Sequence, residues 1–379
     1  MKAVIAIDSF KGSISSYEAG LAAKEGVLRV IPNTKISLFP IADGGEGTVA
    51  ALVGGMNGKI KRVTVKNPLG KEITAEYGII GNTAVIEMAA ASGIALIKKD
   101  ELNPMKTTTF GVGEMILDAV NSGCREFIIG IGGSATNDGG IGMLQSLGFE
   151  FLDEGDNEVP FGACGLGKIK KIKSEKVPKA IKDCVFKVAC DVKNPLCGAN
   201  GCSAVFGPQK GATQEQVKLM DSYMSHYADI TKKYYPNADK EAAGSGAAGG
   251  LGFAFMTYLG AVLTKGIDLI LEKIGIEEEI KSADLVITGE GRLDGQTVMG
   301  KAPIGVAALG KKHGKTVLAF SGCATREAGI CNLHGIDAFF PIVRGAVSLE
   351  EAMNTENAKQ NMADTVEQAI RLWNLGNKK

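Results

Sequence analysis

Several segments of this chain set carboxylates, lysines and hydroxyls beside glycine or proline. They are Asp8-Ser9-Phe10-Lys11-Gly12, then Ala42-Asp43-Gly44-Gly45-Glu46-Gly47-Thr48, then residues 131–142, which read IGGSATNDGGIG. Further on come Cys190-Asp191-Val192-Lys193-Asn194-Pro195, Gly207-Pro208-Gln209-Lys210-Gly211, and Thr288-Gly289-Glu290-Gly291-Arg292-Leu293-Asp294 continuing to Gly300-Lys301. The stretch at 131–142 is the densest, with Gly132, Gly133, Gly139, Gly140 and Gly142 around Ser134, Ala135, Thr136, Asn137 and Asp138. Glycine lets backbone N–H groups turn toward a ligand at close range, and the polar side chains add orienting hydrogen bonds. A small, polar, anionic ligand suits such a loop.

Any one of these loops also suits a helix cap or a tight turn. Their number, and the pairing of Asp8 with Lys11 and of Asp43 with Glu46, exceed what capping needs. Carboxylates and lysines around glycine loops meet the needs of phosphoryl transfer: acidic groups hold Mg²⁺ through oxygen, lysines neutralise phosphate charge, and N–H groups fix the oxygens.

Other motifs fail on context. Gly130-Ile131-Gly132-Gly133-Ser134-Ala135 spells a dinucleotide turn, which raises a nicotinamide-dependent hydroxy-acid dehydrogenase as an alternative. The acidic residue required about twenty positions on would be Asp153 or Glu154, in a polar turn and not at a strand end. Residues 162–168 and 305–311 fit GxxxxGK, but Ile169 and Lys312 follow where a phosphate-binding loop needs Ser or Thr. A non-catalytic sugar-acid binding protein is a third reading, for which the loops carry more charge than binding requires.

The elements that must position these loops follow from hydrophobic period. Residues 3–7 and 36–39 read as strands, 15–30 and 46–53 as helices, and the same alternation returns with strands at 285–288, 316–320 and 338–342 and helices at 302–313 and 357–373. Between them 60–65, 72–80 and 85–88 read as successive strands. Later come helices at 112–122, 140–147, 214–232 and 251–263 and strands at 127–131 and 186–190. The expected fold is α/β with two domains. A Rossmann-like or flavodoxin-like parallel-sheet domain takes residues 1–66 and 282–379 from both chain ends, and a mixed-sheet α/β domain takes the inserted 67–281. Asp8, Asp43, Asp191 and Glu290 then fall at the carboxyl ends of strands, where such sheets bind ligands, and the active site is expected in the cleft between the domains.

Composition narrows the partners. The 379 residues hold 42 Lys plus Arg against 42 Asp plus Glu, with no long basic block, so neither nucleic acid nor a membrane surface is an expected partner. The apolar run at 3–7 is too short for a signal peptide, and the uncharged stretch 242–264 is diluted by glycine, so a cytoplasmic protein is expected. Eight cysteines without a CxxC pair and three scattered histidines do not suggest a zinc site.

The strings IDSFKGSISS, PIADGGEGT, IGGSATNDGGIGML, CDVKNPLCG, VFGPQKGAT, GSGAAGGLG and DLVITGEGRLDGQTVMGKAP, in this order along nearly the whole chain, resemble the bacterial glycerate kinase family of type I. Cys197 and Cys202 depart from the aliphatic or small residues expected there and put no catalytic group in doubt. The resemblance implies a cytoplasmic enzyme that transfers the γ-phosphoryl of ATP to D-glycerate with Mg²⁺. 2-Phosphoglycerate is the favoured product and 3-phosphoglycerate the alternative, and a homo-oligomer is compatible with it. Asp191, Asp8 and Lys11 are then the expected catalytic groups, with Asp191 or Asp8 accepting the hydroxyl proton. The substrate carboxylate would meet Lys11 or Arg292 and the loop formed by Gly132, Gly133, Ser134, Ala135, Thr136, Asn137 and Asp138, with Ser9 nearby. Asp43, Gly44, Gly45, Glu46, Glu290 and Asp294 are expected at the nucleotide, with Lys210 and Lys301 on its phosphates. Mg²⁺ is expected on Asp43, Glu46, Glu290 and Asp294.

Overall fold

A computed structural model describes residues 1–376. The chain divides into two compact units. The first comprises Met1–Asp43, Ala50–Asn57 and the described residues from Ile267 onward, and the second Gly44–Val49 and Gly58–Gly266.

The first unit is built on a five-stranded, wholly parallel sheet of β1 (Lys2–Ile7), β2 (Lys35–Leu38), β11 (Leu285–Leu293), β12 (Thr316–Ala324) and β13 (Ala338–Pro341), in the order β13-β12-β11-β1-β2. The centre strand β1 is apolar on both faces, as a parallel strand covered on both sides must be. On one face the helices Ser16–Val30 and Thr355–Gly376 close a core of Ile5, Ile7, Val27, Phe320, Met362 and Val366. The helix Ser16–Val30 starts where Ser15 and Glu18 satisfy each other's backbone N–H groups in a capping box. Because Ile7 aligns with Gly289, the chain delivers Asp8 to the carboxyl edge of the sheet beside Glu290.

The second unit holds a six-stranded mixed sheet of β3 (Lys59–Lys66), β4 (Glu72–Ile80), β5 (Thr83–Glu87), β6 (Glu126–Gly130), β9 (Val185–Ala189) and β10 (Val262–Thr264), in the order β10-β9-β6-β5-β4-β3. The β3-β4-β5 end is antiparallel and the rest parallel. A separate two-stranded ribbon pairs β7 (Glu150–Leu152) with β8 (Lys171–Lys173).

An α/β fold with a parallel sheet from both chain ends and an inserted mixed sheet is therefore what the chain adopts. Individual segments differ from expectation at its seams. Residues 59–66, assigned from sequence to the first domain, pair antiparallel with β4, because Asn67 Oδ1 accepts the N–H groups of Leu69 and Lys71 and Gly70 takes φ +77°, which turns the chain back. The helices Gly266–Ile274 and Ile276–Lys281 lie almost wholly with the first unit, where Gly305 leaves room for Ile267 and Glu279 meets Lys2 at 2.8 Å. The helix expected over 251–263 ends at Leu259, since Gly260 turns left-handed at φ +62° and β10 follows. Among the described residues no helix is long and apolar enough to cross a membrane.

Candidate active site

At the carboxyl edge of the first unit's sheet, Asp8 follows β1 and is 5 % exposed. Its Oδ1 accepts the Ser9 N–H at 2.6 Å. Burial and then the neighbouring Asp43 carboxylate push its pKa up to about 7; Glu290 adds to the rise and Lys11 opposes it. Lys11 is exposed in a tight loop closed by the Phe10 N–H on the Ile14 carbonyl at 2.9 Å. This loop lies against β11: a Cβ on Gly291 would stand at ordinary contact distance, 3.4 Å, from the Phe10 Cα.

Glu290, on β11, is buried and accepts the Thr297 hydroxyl at 2.7 Å. Burial raises its pKa, which Thr297 and Lys301 oppose. Lys301 lies 3.6 Å from Glu290 and 3.7 Å from Asp294, so one ammonium serves two carboxylates. Arg292 is exposed and reaches Asp294 at 3.5 Å. The structure thus gathers Asp8, Asp43, Glu290, Asp294 and Lys301 in the first unit, with Ser9, Lys11 and Arg292 at the margin.

In the second unit the loop after β6 is more closed than its composition suggested. Only Gly132 and Gly133 are exposed, with Ser134 at their inner edge. Ala135, Thr136, Asn137 and Asp138, expected against the substrate, are at 0 % exposure. Asp138 is occupied by the fold: its carboxylate accepts the Thr109 N–H at 2.8 Å, the Thr109 hydroxyl at 2.9 Å, the Gly140 N–H at 3.1 Å and the Gly142 N–H at 3.3 Å. It ties the start of the helix Phe110–Asn121 to the start of the helix Ile141–Ser146. Asn137 turns its amide inward, donating to the Ser203 hydroxyl at 2.8 Å. These side chains are drawn inward because the loop has to satisfy its own polar groups between packed helices.

Lys210, expected on phosphate, is 1 % exposed and donates to the Ser134 hydroxyl at 2.7 Å and the Thr136 carbonyl at 2.6 Å. Burial lowers its pKa to about 8. It braces the glycine loop from beneath.

Asp191 is exposed just beyond β9 and accepts the Gly266 N–H at 3.2 Å. Gly44, Gly45 and Glu46 belong to the second unit while Asp43 belongs to the first. Glu46 is exposed, and the Thr48 hydroxyl donates to the Gly45 carbonyl at 2.7 Å.

Among the described residues no three or more His, Cys, Asp or Glu side chains converge on a metal position. Magnesium does not require such a cage, since it is held by one or two carboxylates together with water and substrate phosphates. The oxygen donors Asp43, Glu290 and Asp294 fit that mode.

Three contributors escaped the sequence reading: Thr297 on Glu290, Thr109 on Asp138, and Glu87, which ends β5 and accepts the Val49 N–H at 2.8 Å. Glu87 alone had a visible signal, a single charge directly after the apolar run of residues 84–86.

A family model described as the glycerate kinase family matches residues 3–374. The chain is 45 % identical over 383 residues to the glycerate 2-kinase of Escherichia coli K12, covering 99 % of this chain and 100 % of that one. It is 47 % identical over 367 residues to the glycerate kinase of Bacillus subtilis 168, with 96 % of each covered. A crystal structure of a Salmonella typhimurium LT2 protein described as a candidate glycerate kinase 2 superposes with a TM-score of 0.93 at 42 % identity, covering all of both chains. Nearly the whole length is matched by the family and by these relatives, and the sheet edge and glycine loop described above lie within it: the chain belongs to the glycerate kinase family and is a kinase.

Proposed function

We propose that the protein phosphorylates D-glycerate with ATP and Mg²⁺ in the cytoplasm, with 2-phosphoglycerate as the favoured product. The observation that carries this reading is the group of Asp8, Asp43 and Glu290 at the carboxyl edge of the parallel sheet, where their charges act on one another. Carboxylates held together beside Lys11 and Lys301 suit a polyphosphate with its magnesium. The name of the Escherichia coli relative supports the 2-position.

In this reading Gly132 and Gly133 offer exposed backbone N–H groups, and Lys11 or Arg292 a positive charge, to the glycerate carboxylate. Asp8 and Asp191 are the two candidates to accept the proton of the attacking hydroxyl: Asp8 for the basicity its burial confers, Asp191 for its open position after β9. Lys301, between Glu290 and Asp294, neutralises phosphate charge, and Asp43, Glu46, Glu290 and Asp294 are the oxygen donors for the metal. Magnesium, when bound, would supply charge neutralisation at the phosphates. Asp138 and Lys210 act as positioning residues for the glycine loop.

Phosphorus NMR of the product made from D-glycerate and MgATP tests activity and position together. A 2-phosphoglycerate signal with ADP is expected. ATP consumed without a phosphoglycerate, or none consumed, would remove the reading.

A further inference from the structure

The carboxylate of Glu87 is not part of either residue group assigned above, yet it is joined to one of the candidate loops. It is the last residue of β5, aligned with Gly130 of β6. Its Oε1 accepts the Val49 N–H at 2.8 Å, and the N–H groups of Gly47 and Thr48 also donate to it. These donors lie at the start of the helix Thr48–Gly55, where amides lack partners within the helix; the Thr48 N–H also reaches the Gly45 carbonyl, at 3.4 Å. A carboxylate at this place satisfies them and is attracted by the positive end of the helix dipole. It comes from 38 residues away, not from a residue at the helix start.

The rest of the segment is fitted to the same strand ends by missing side chains. A Cβ at Gly130 would collide with the Gly44 carbonyl oxygen. Gly44 takes φ +90°, and a Cβ there would come within 2.7 Å of both the Ala189 Cβ and the Gly266 Cα. The chain from Gly44 to Val49 therefore lies across the ends of β5, β6 and β9, at a distance that a side chain on Gly44 or Gly130 would prevent. Glu87 is an acidic tether for it, and Glu46 stands close enough for the two charges to repel.

We infer that Glu87 is a positioning residue: through the N–H groups of Gly47, Thr48 and Val49 it fixes the segment bearing Glu46 and following Asp43, and so sets the affinity for the nucleotide and its metal. This rests on the functional reading above, in which Asp43 and Glu46 serve the nucleotide. It also implies that the helix Thr48–Gly55 does not offer its first amides to phosphate, because a carboxylate already holds them.

The test uses the full chain, as wild type, Glu87→Gln and Glu87→Ala, in two measurements. Hydrogen–deuterium exchange followed by mass spectrometry reads peptides covering residues 44–52. Steady-state kinetics with glycerate reads KM for MgATP, KM for glycerate and kcat. Exchange in that peptide is expected to speed at least tenfold in Glu87→Ala and less in Glu87→Gln, which keeps the shape and one acceptor oxygen. KM for MgATP is expected to rise at least tenfold in the alanine variant and to be partly restored in the glutamine variant, with KM for glycerate within twofold of wild type. Unchanged exchange would overturn the tether. Faster exchange with MgATP constants at wild-type values would overturn its role in positioning. Faster exchange spread over the whole chain would mark Glu87 as a general stabiliser and overturn the proposal as well. If the wild type transfers no phosphoryl group to glycerate, the functional reading fails by itself, and KM for MgATP is dropped with it; unchanged exchange at residues 44–52 would still sink the tether.

Discussion

The Lys210 ammonium donates to the Ser134 hydroxyl at 2.7 Å across 76 residues of sequence, with Lys210 shut away from solvent. A lysine in such a place resists protonation, and its pKa falls to about 8 from 10.5. Since the folded value lies below the unfolded one, folding is penalised while the amine is charged in both states, below about pH 8, and the penalty lifts as pH rises toward 10.5. Relative to Lys210→Met, the wild type should gain stability over that window, by roughly 3 kcal/mol at most. Urea denaturation of both proteins at pH 7 and pH 10 measures it, and an equal gap at the two pH values would contradict the burial argument.

Asp138→Asn should unsettle the fold before it affects chemistry. The buried carboxylate accepts three backbone N–H groups and a hydroxyl, and an amide nitrogen in place of one oxygen would face donors. A loss of about 2–3 kcal/mol is expected, read as a lower midpoint in urea. Wild-type stability with lost turnover would return Asp138 to the substrate.

Asp8→Asn and Asp191→Asn separate the two candidates for proton acceptor. The one that takes the proton should lose turnover by about a hundredfold or more, with a smaller change in KM. The other should show mainly a raised KM. If both keep wild-type turnover, neither takes part in the chemistry.

Glu18→Gln removes one arm of the capping box at Ser15. The Ser15 N–H first, and then Lys359, hold the Glu18 pKa down at about 2, below the usual carboxylate range. A depressed folded value means that the contribution is present above about pH 4.5 and is lost as pH falls toward 2. Glu18 is partly exposed and screened by solvent, so the variant should cost only about 0.5–1 kcal/mol at pH 7. Thermal melts at pH 7 and pH 3 should show that gap shrinking; a gap that widens in acid would refute the assignment.

Much of the sheet edge was readable from residue order. An apolar run that stops at Asp8, and another that stops at Glu290, place their carboxylates at strand ends by the same alternation that defines the strands. The seams were less readable. Nothing in KIKRVTVK tells whether it joins the sheet before it or the one after it, because a strand's partner is chosen by the turn at Asn67 and by the strand beyond.

By itself, the amino-acid order determined the α/β class, the parallel sheet assembled from both ends, the candidate loops and the family they resemble, since these depend on local period and on strings of neighbouring residues. Only the tertiary structure decided which members of those loops face outward. Gly132 and Gly133 are open while Thr136, Asn137 and Asp138 are enclosed. Lys210 and Glu87 turn out to brace backbone, one under the glycine loop and the other at the start of a helix. The reason is that a polar side chain goes to the nearest unsatisfied partner in space, and those partners are brought near by packing and not by sequence.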